Sequence, residues 1–414
     1  MTTPATASAD AAAEAAAGSG PRGATLAAGA PVIILGGGPI GLVCALLLAR
    51  HGQASNLVDA RPLAALQRDR RVLALSRGTL DVLEPLLGRG FAPLGEIHRI
   101  HVSSRGNLGS AQLGSGDFDG VAVGATVWYA DLVDALARAA QAQPLITMQR
   151  PRRALELRQK PLLVEIALDN GATLTGPLAI DAEGTPPLNR DATQYALLAE
   201  LEISCAPGDA IERFTSEGPL ALLPLPATTT DAESGRMSMV WCMPAAAAQA
   251  RRALPDPQLG AQLTRALGHR LGRPSGIGPR SIFPLHTHRL AQVCEHRVVH
   301  LGNAAQSLHP VAGQGFNLGI RDCACLVDCL AQSPLGLPAG AAGGSDPLQA
   351  LHRYAARRRL DRTLFPALTS ALPRIFSSTL APVVMARSAG LLAMDLLPAL
   401  RRPFTRMLMY GAAR

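Results

Sequence analysis

Residues 32–59 read VIILGGGPIGLVCALLLARHGQASNLVD, and this stretch decides the fold. An apolar run predicts a buried strand, the glycines open an apolar helix, and a second short strand ends at Asp59. In such a G-x-G-x-x-G turn Gly36 permits the tight bend, Gly38 lets the backbone approach a pyrophosphate, and Gly41 lets the helix pack on the strand. Asp59 stands where a carboxylate accepts hydrogen bonds from an adenosine ribose. The stretch therefore predicts an α/β domain that binds a dinucleotide; the alternative is a glycine-rich turn in an unrelated α/β protein.

A second stretch, residues 299–322, reads VHLGNAAQSLHPVAGQGFNLGIRD. A hydrophobic strand leads into a rigid His309-Pro310 turn, and two glycines then open a helix predicted to start around Asn317. A helix start carries unpaired N–H groups and the positive end of the helix dipole, which stabilise an anion. Because the isoalloxazine ring of a flavin becomes anionic when it is reduced, the pattern indicates a flavin site. The alternative is an ordinary Gly/Pro-rich loop between a strand and a helix.

We find a single dinucleotide fingerprint in the sequence. The other glycine-rich candidates, GSGDFDG at 114–120 and GIGPR at 276–280, do not follow a strand and open a helix with the required spacing. We therefore expect FAD in the one Rossmann unit. NAD(P)H, as electron donor, is expected to bind transiently elsewhere.

Composition limits the class of protein. The chain has 414 residues, of which 48% are hydrophobic and 17% charged, so it is long enough for two or three domains with a large core. The net charge of +8 comes almost wholly from scattered arginines, and aromatic residues make up only 3%. Few aromatics and no basic patch argue against nucleic acid as a partner, and an anionic membrane surface is a better use of the excess positive charge.

Cysteine usage and the absence of targeting patterns indicate a cytoplasmic protein. Seven cysteines, an odd number, do not suggest a disulfide framework. Cys323, Cys325 and Cys329 lie close together, but without a second Cys/His cluster they are interpreted as buried small side chains, and no metal is assigned. Residues 1–30 are rich in Ala, Gly, Ser and Thr and predict a disordered leader. No stretch provides the apolar length of a membrane-spanning helix.

Several motifs resemble one enzyme family, the class A flavoprotein aromatic hydroxylases. Within them the chain most resembles the ubiquinone-biosynthesis hydroxylases, above all those of the 2-polyprenyl-6-methoxyphenol hydroxylase type. The motifs are GGGPIGL at 36–42, RDRRVLALS at 68–76, IHVSSRGNLG at 100–109, IERFTSEGPLALLPL at 211–225, SMVWCMP at 238–244 and GNAAQSLHPVAGQGFNLGIRD at 302–322. Only the first thirty residues and a Gly/Pro-rich stretch near 332–346 fall outside the resemblance.

The resemblance implies an α/β fold, α+β overall, with a Rossmann-like FAD-binding domain, a sheet-based substrate domain and C-terminal helices. We expect the FAD-binding domain at 31–105, 125–200 and 290–330. The substrate domain is expected at 201–290 with 106–124 as an insertion, and the C-terminal helical region at 346–414. In the substrate domain, ALLPLPA and GRMSMVWCMP are predicted to be strands of a sheet that faces the flavin.

The resemblance also implies a reaction. NAD(P)H reduces FAD, O₂ forms a flavin C4a-hydroperoxide, and one oxygen is transferred to the ring of a polyprenylated phenol. Three alternatives stay open: a sister hydroxylase that acts at another ring carbon, an FAD-dependent oxidoreductase that acts on a different aromatic substrate or without ring hydroxylation, and a non-catalytic flavin-binding subunit.

Site residues are carried over by the same resemblance. His309, Pro310 and Gln314 are predicted to be catalytic, with the Pro310 carbonyl as an acceptor for a substrate hydroxyl. For His309 the alternative is a satisfied group behind the site, and for Arg71 it is a surface position in a charge run. The residues predicted to bind the cofactor are Gly36, Gly38, Pro39, Gly41, Asp59, Arg61, Arg71, Glu183, Asn303, Gly313, Gly315, Phe316 and Asn317.

One departure from the family pattern concerns Glu183, which stands where related hydroxylases carry an aspartate. Glutamate keeps the charge but is one methylene longer, so its contact near the pyrophosphate must shift or be mediated by water; the alternative is that Asp181 substitutes for it by a shifted register. The C-terminal region alternates apolar stretches with Arg clusters. It is interpreted either as helices packed on the core or as a surface that meets a membrane or another ubiquinone-biosynthesis protein. The expected location is the cytoplasm, at the inner face of the membrane if that surface is used.

Overall fold

The computed structural model describes residues 30–185, 192–226, 235–268, 271–332 and 347–412. The predicted leader 1–30 and the Gly/Pro-rich stretch 332–346 lie outside these ranges except for residues 30 and 332. The strands are β1 Val32–Leu35, β2 Ser55–Val58, β3 Val72–Ser76, β4 Gly95–Ile97, β5 Arg99–Ser104, β6 Ser110–Gly114, β7 Gly124–Trp128, β8 Ile146–Gln149, β9 Ala154–Gln159, β10 Val164–Leu168, β11 Thr173–Gly176, β12 Ala179–Asp181, β13 Gln194–Glu202, β14 Asp209–Phe214, β15 Pro219–Pro224, β16 Arg236–Pro244, β17 Gly276–Ile277, β18 Ser281–Leu285, β19 His288–Arg289, β20 Cys294–Glu295, β21 Val298–His300 and β22 Gln306–Ser307. The helices are α1 Pro39–Arg50, α2 Leu63–Leu66, α3 Arg77–Leu87, α4 Tyr129–Gln141, α5 Ala245–Ala253, α6 Asp256–Leu267, α7 Gln314–Ala331, α8 Pro347–Ser377, α9 Ala381–Leu396 and α10 Pro398–Tyr410.

A six-stranded sheet in the order β20-β21-β12-β1-β2-β8 forms the centre of the dinucleotide-binding part. Its strands are parallel except at the β20/β21 edge. All four residues of β1 are buried, because helices α1, α4 and α7 cover one face and the small sheet β11-β10-β9 covers the other. A strand buried on both faces is apolar throughout, which is why the run Val32–Leu35 was predicted correctly.

A larger sheet carries the substrate side of the molecule. Its strands follow the order β17-β13-β16-β15-β14-β5-β6, with β18 also paired to β13. The predicted strands within ALLPLPA and GRMSMVWCMP are confirmed as β15 and β16, which pair antiparallel. Side chains alternate between the two faces of each strand, and one face is buried beneath helices α5 and α6.

Two segments expected in the FAD-binding domain belong to this larger sheet. Residues 99–104 form β5, which pairs with β14, and residues 194–202 form β13, which pairs with β16. The predicted insertion 106–124 contains β6, which forms a hairpin with β5. Long-range pairing, and not position in the chain, decides which sheet these strands join. The division into domains stays a prediction, in which β5, β6 and β13 are now assigned to the larger sheet.

Helices α8 to α10 confirm the predicted helical C-terminal region. Helix α8 packs on α7, and buried charges join the two. Arg358 lies 2.6 Å from Asp322 and 2.7 Å from Asp361. Within the described ranges no single helix is long and apolar enough to cross a membrane; α8 and α9 meet the length and composition criteria only as a pair bent by 119°.

Candidate active site

The glycines of the turn between β1 and α1 have two different roles: Gly36 and Gly41 allow close packing, and Gly38 leaves space for a ligand to approach. Gly36 has φ +95°, and a Cβ there would lie 2.3 Å from a carbonyl oxygen of the loop after β12. A Cβ on Gly41 would lie 1.9 Å from the Gly36 oxygen. A Cβ on Gly38 would meet nothing closer than the Tyr129 hydroxyl at 3.8 Å, so Gly38 borders open space. It also caps α1 without a side-chain hydrogen bond, and Pro39 is the first helical residue, so the helix start can face an anion.

Asp59 lies at the end of β2 and is fixed there by contacts with two residues, Gly37 and Arg61. Its Oδ2 accepts a hydrogen bond from the Gly37 N–H at 2.7 Å, and its Oδ1 accepts one from the Arg61 N–H at 2.7 Å. The Arg61 guanidinium lies 3.3 Å from the same carboxylate. A carboxylate offers about four lone-pair positions and these contacts occupy them, so the predicted hydrogen bond from a ribose hydroxyl to Asp59 stays a prediction.

Arg150, which the sequence analysis missed, reaches the same turn from the end of β8. Its Nη2 donates to the Gly37 carbonyl and lies 3.5 Å from Asp59. Its Nε and Nη1 are buried and have no hydrogen-bond partner among the described residues. Desolvation lowers the pKa of Arg150, and the Asp59 charge opposes this shift. A cavity of about 490 Å³ adjoins it, lined also by Leu63 and Met148.

These features fit the adenosine and pyrophosphate part of FAD. Buried unpaired N–H groups beside a helix start are what a pyrophosphate requires, and an adjoining cavity leaves room for a nucleoside. The basic run RPRR at 150–153 was the one signal in the sequence that could have identified Arg150.

Glu183 lies close to this group without a fixed side-chain contact. Its side chain is exposed, and its pKa is raised first by desolvation and then by the charges of Asp181 and Asp59. Asp181 has contacts of its own, since it lies 2.8 Å from the His300 Nδ1 and accepts the Glu183 N–H at 3.0 Å. These contacts do not favour the alternative in which Asp181 replaces Glu183.

The second predicted group surrounds the start of α7. This helix begins at Gln314, three residues before the expected start around Asn317, because Gly313 adopts φ +59° and acts as its N-cap. No side chain caps the helix, so N–H groups of its first turn are free to face an anion. Ala312, just before the cap, also has a positive φ of 58°.

His309 is buried and neutral at physiological pH. Its Nε2 lies 3.0 Å from the Oε1 of Gln194, and burial lowers the pKa of His309 to about 4. Because an amide oxygen only accepts, the hydrogen belongs on Nε2, and Nδ1 becomes an acceptor that has no partner among the described residues. The carbonyl of Pro310 accepts the Gly313 N–H at 3.0 Å. This bond uses one lone pair of the Pro310 carbonyl and leaves the other for the predicted substrate hydroxyl.

Gln314 and Asn317 use their side chains within the protein. The Asn317 amide accepts from the Ser76 N–H and the Thr79 hydroxyl and donates to the carbonyls of Ala74 and Gly313, all at 2.8–2.9 Å. It thus fixes the start of α7 against β3, and its predicted contact with the cofactor stays a prediction. Gln314 donates to two carbonyls at 3.2 and 3.4 Å. Of Gln314 and Asn317, Gln314 is the nearer to the start of the helix.

The remaining predicted residues lie around these two groups. Arg71 pairs with Asp69 at 2.6 Å and lies over the rings of Tyr129 and Phe283 at 5.3 and 5.5 Å. It therefore bridges the dinucleotide-binding part and the large sheet and is more than a solvated surface residue. Of the three further predicted residues, Asn303 is exposed, and Gly315 and Phe316 lie in the first turn of α7.

The two groups belong to one elongated site because α1 and α7 pack together. Ile40, in the first turn of α1, is 2.8 Å from the Cβ position of Gly319, and its carbonyl is 3.6 Å from the Cys323 sulfur. With a rise of 1.5 Å per residue, the start of α7 lies roughly 8–13 Å farther along that helix. That spacing suits a long dinucleotide. Within the described residues, no cluster of three or more side chains could hold a metal ion.

A cavity of about 530 Å³ extends away from the start of α7. Strands β5, β6 and β14 form one wall and helices α8 to α10 the other. Its lining is almost wholly aliphatic and aromatic, and the one carboxyl group among the lining residues is that of Glu212. Desolvation raises the pKa of Glu212 to about 7, although the backbone of Ala312 donates a hydrogen bond to it.

Comparison with known proteins agrees with this geometry. The sequence matches the FAD binding domain family over residues 29–162 and 199–346. It is 32% identical over 398 residues to ubiquinone hydroxylase UbiL of Rhodospirillum rubrum, covering 91% of this chain and 89% of that protein. It is 29% identical over 391 residues to 3-demethoxyubiquinol 3-hydroxylase of Escherichia coli, covering 90% of this chain and 96% of that protein.

Solved structures show the same fold. The p-nitrophenol 4-monooxygenase PnpA of Pseudomonas putida matches 94% of this chain and 100% of its own with a TM-score of 0.71, at 14% identity. FAD is accordingly the cofactor of this chain, and NAD(P)H is the electron donor typical of the family. By the extent of these matches, the chain belongs to the FAD-dependent monooxygenases that act as hydroxylases of ubiquinone biosynthesis.

Proposed function

We propose that this chain hydroxylates the aromatic ring of a polyprenylated phenol, with O₂ as cosubstrate and FAD reduced by NAD(P)H. The observation that carries the proposal is the apolar cavity of about 530 Å³ beside the start of α7. Its aliphatic lining suits an isoprenoid tail and disfavours a small polar aromatic acid, whose charge would lose its hydration there. When bound, the flavin supplies the oxygen-transfer chemistry.

The residues of this chain would then orient the substrate ring, exclude water from it and stabilise negative charge beside it. The apolar walls exclude water from the reacting ring. The free N–H groups at the start of α7 favour negative charge beside it. His309, held by Gln194 with its Nδ1 unpaired, offers a neutral acceptor at the same turn. In this role His309 and Pro310 border the ring, as the resemblance implies.

Helix α9 separates the cavity from an exposed apolar surface. Gly390, Leu391 and Met394 line the cavity, while Met385 and Leu396 are 71% and 66% exposed. An insoluble substrate must come from a bilayer or a carrier, so we propose that this outer face of α9 meets a membrane at its cytoplasmic side, or another ubiquinone-biosynthesis protein there.

Vesicle flotation tests the membrane surface. We expect the protein to float with anionic vesicles and the variant M385E/L396E to float less. L155E is the matched control, because Leu155 is an equally exposed apolar residue, 64% exposed, on the distant strand β9. Equal flotation of all three proteins would reject the proposal that the outer face of α9 meets a membrane.

Two candidates for the ring position follow from different observations. The motifs ERFTSEGPLALLPL and MVWCMP favour the 2-polyprenyl-6-methoxyphenol hydroxylase type. The similarity to 3-demethoxyubiquinol 3-hydroxylase favours a sister enzyme that acts at another carbon. Complementation of bacterial strains that are each blocked at one ring hydroxylation distinguishes them, with identification of the quinone precursor that disappears.

Labelled oxygen tests the reaction class itself. We expect the purified protein, given NAD(P)H, ¹⁸O₂ and a short-chain prenylated phenol, to place one labelled oxygen atom in the product. NAD(P)H consumption with peroxide as the only oxygen product would instead indicate an oxidase. No consumption with any phenol would indicate a non-catalytic flavin protein.

A further inference from the structure

Glu212 occupies an inward position on β14. Side chains alternate along the strand, so Glu212 shares a face with Phe214, and both line the apolar cavity. Ile211, on the other face, belongs to the core beneath α5 and α6. A carboxyl group among aliphatic walls lowers stability unless something binds it, so its position calls for a functional explanation.

The carboxyl group is held at the end of the cavity nearest the start of α7. Ala312 donates its backbone N–H to Glu212 and has φ +58° and ψ 13°, a left-handed conformation that costs a non-glycine residue about 1 kcal/mol. The turn that contains Ala312 runs directly from His309 to the helix start. Glu212 therefore lies at the turn that leads into α7, beside the predicted reacting position.

No cation neutralises Glu212 among the described residues. The lining contains one arginine, Arg387, but its Nη1 donates to the carbonyls of Ile375 and Phe376 at 2.9 and 2.7 Å, and its guanidinium lies over the Phe376 ring. The titratable group that interacts with the carboxyl is Cys242, a buried thiol whose pKa is raised, and His309, at the start of the turn that contains Ala312, is neutral. An ionised Glu212 thus has no countercharge and retains free lone pairs that face the cavity.

We propose that Glu212 binds the phenolic hydroxyl of the substrate and sets the orientation of its ring. This inference rests on the proposed function. The hydroxyl donates a hydrogen bond to the carboxylate, and the isoprenoid tail extends along the aliphatic walls. The hydroxyl position relative to the helix start then determines which ring carbon faces the oxygen donor.

The same contact moves a proton. A π-electron pair of the ring forms the new C–O bond as the O–O bond of the oxygen donor breaks, and the electron pair of that O–O bond stays on the donor as a base. The phenolic O–H bond breaks toward Glu212, and its electron pair forms a carbonyl that stabilises the attacked ring. The attacked carbon then releases its hydrogen as a proton, which neutralises the base left by the oxygen donor. The C–H electron pair restores the aromatic ring, and the phenolic oxygen takes its proton back from Glu212. The carboxylate ends unchanged.

A matched pair of probes tests the contact without turnover. The probes are 2-geranylphenol and its methyl ether, titrated into the FAD-loaded protein with flavin fluorescence as the signal. A hydrogen bond to a charged acceptor corresponds to a preference for the phenol of about tenfold or more. We expect E212L to reduce the preference to about one, and E212Q to retain a smaller preference that no longer changes near pH 7.

The control is E200Q, which removes a half-buried carboxylate on β13 of the same sheet that is paired with Arg236. It should keep the wild-type preference. Flavin content and melting temperature verify that each variant is folded, and E212Q preserves the shape of the side chain if E212L does not fold. A wild-type protein without preference, or an E212L or E212Q protein with the full wild-type preference and pH response, overturns the inference.

Failure of the two proposals is distinguishable. If the wild type hydroxylates a prenylated phenol but binds phenol and ether equally, the role of Glu212 is overturned and the proposed function stands. If the wild type binds the phenol through Glu212 but forms no hydroxylated product, the hydroxyl contact is supported and the proposed function fails.

Discussion

The replacement of Glu212 by Gln gives a stability prediction that needs no substrate. The unfolded chain releases the Glu212 proton near pH 4.5, whereas burial in the folded protein raises the pKa to about 7. Between these values the folded state binds more protons, so stability falls as pH rises through this window. The full loss is present above pH 7 and amounts to about 3 kcal/mol, at 1.36 kcal/mol per pH unit.

Glutamine is neutral at every pH and keeps an oxygen that accepts the Ala312 N–H. We therefore expect E212Q and wild type to be equally stable near pH 4.5, and E212Q to be more stable by about 3 kcal/mol near pH 8. Chemical denaturation at a series of pH values, with flavin removed from both proteins, measures the difference. E200Q is the control and should show no comparable change. A difference between E212Q and wild type that stays constant with pH would refute the burial of an ionisable Glu212.

Other perturbations follow from the same contacts. The pKa of His309 is lowered to about 4, so the stability of the wild type relative to H309N should fall by about 3 kcal/mol as pH falls from 6.5 to 4 in denaturation. G36A should fold poorly because its Cβ meets a carbonyl at 2.3 Å, whereas G38A should keep its melting temperature and bind FAD about tenfold more weakly; equal FAD affinity would contradict this. R358M should lower stability by about 3–5 kcal/mol, because Asp322 would keep a buried charge without its partner.

The strand, turn and helix at the start of the Rossmann unit could be predicted because short-range rules determine them. Four consecutive buried residues precede a glycine that must bend, and the helix follows at once. The start of α7 was predicted three residues too late, and the reason is again local. A glycine on each side of Gln314 favours a loop by propensity, but Gly313 uses its left-handed conformation to cap the helix.

Contacts between distant strands could not be predicted in this way. Arg150 reaches a glycine 113 residues earlier in the chain, and His309 pairs with a glutamine 115 residues earlier. Neither partner is set by local pattern, since each depends on which strands become neighbours in a sheet. Gln194 itself carried no signal, because a polar residue at the end of a strand is ordinary.

The surroundings of Glu212, on the substrate side of the molecule, could not be predicted from the local sequence either. In the motif IERFTSEGPL its alternation with Ile211 predicts a strand with a polar, solvated face, and nothing in the sequence marks that face as covered. The cover comes from α8 to α10, more than a hundred residues later, which turn a solvent-facing position into a wall of the cavity. Helix α9 completes this cover with apolar residues on both of its faces, one lining the cavity and the other exposed. The two interpretations of the C-terminal region, packing on the core and contact with a lipid surface, are therefore compatible, because each concerns a different face of the same helix.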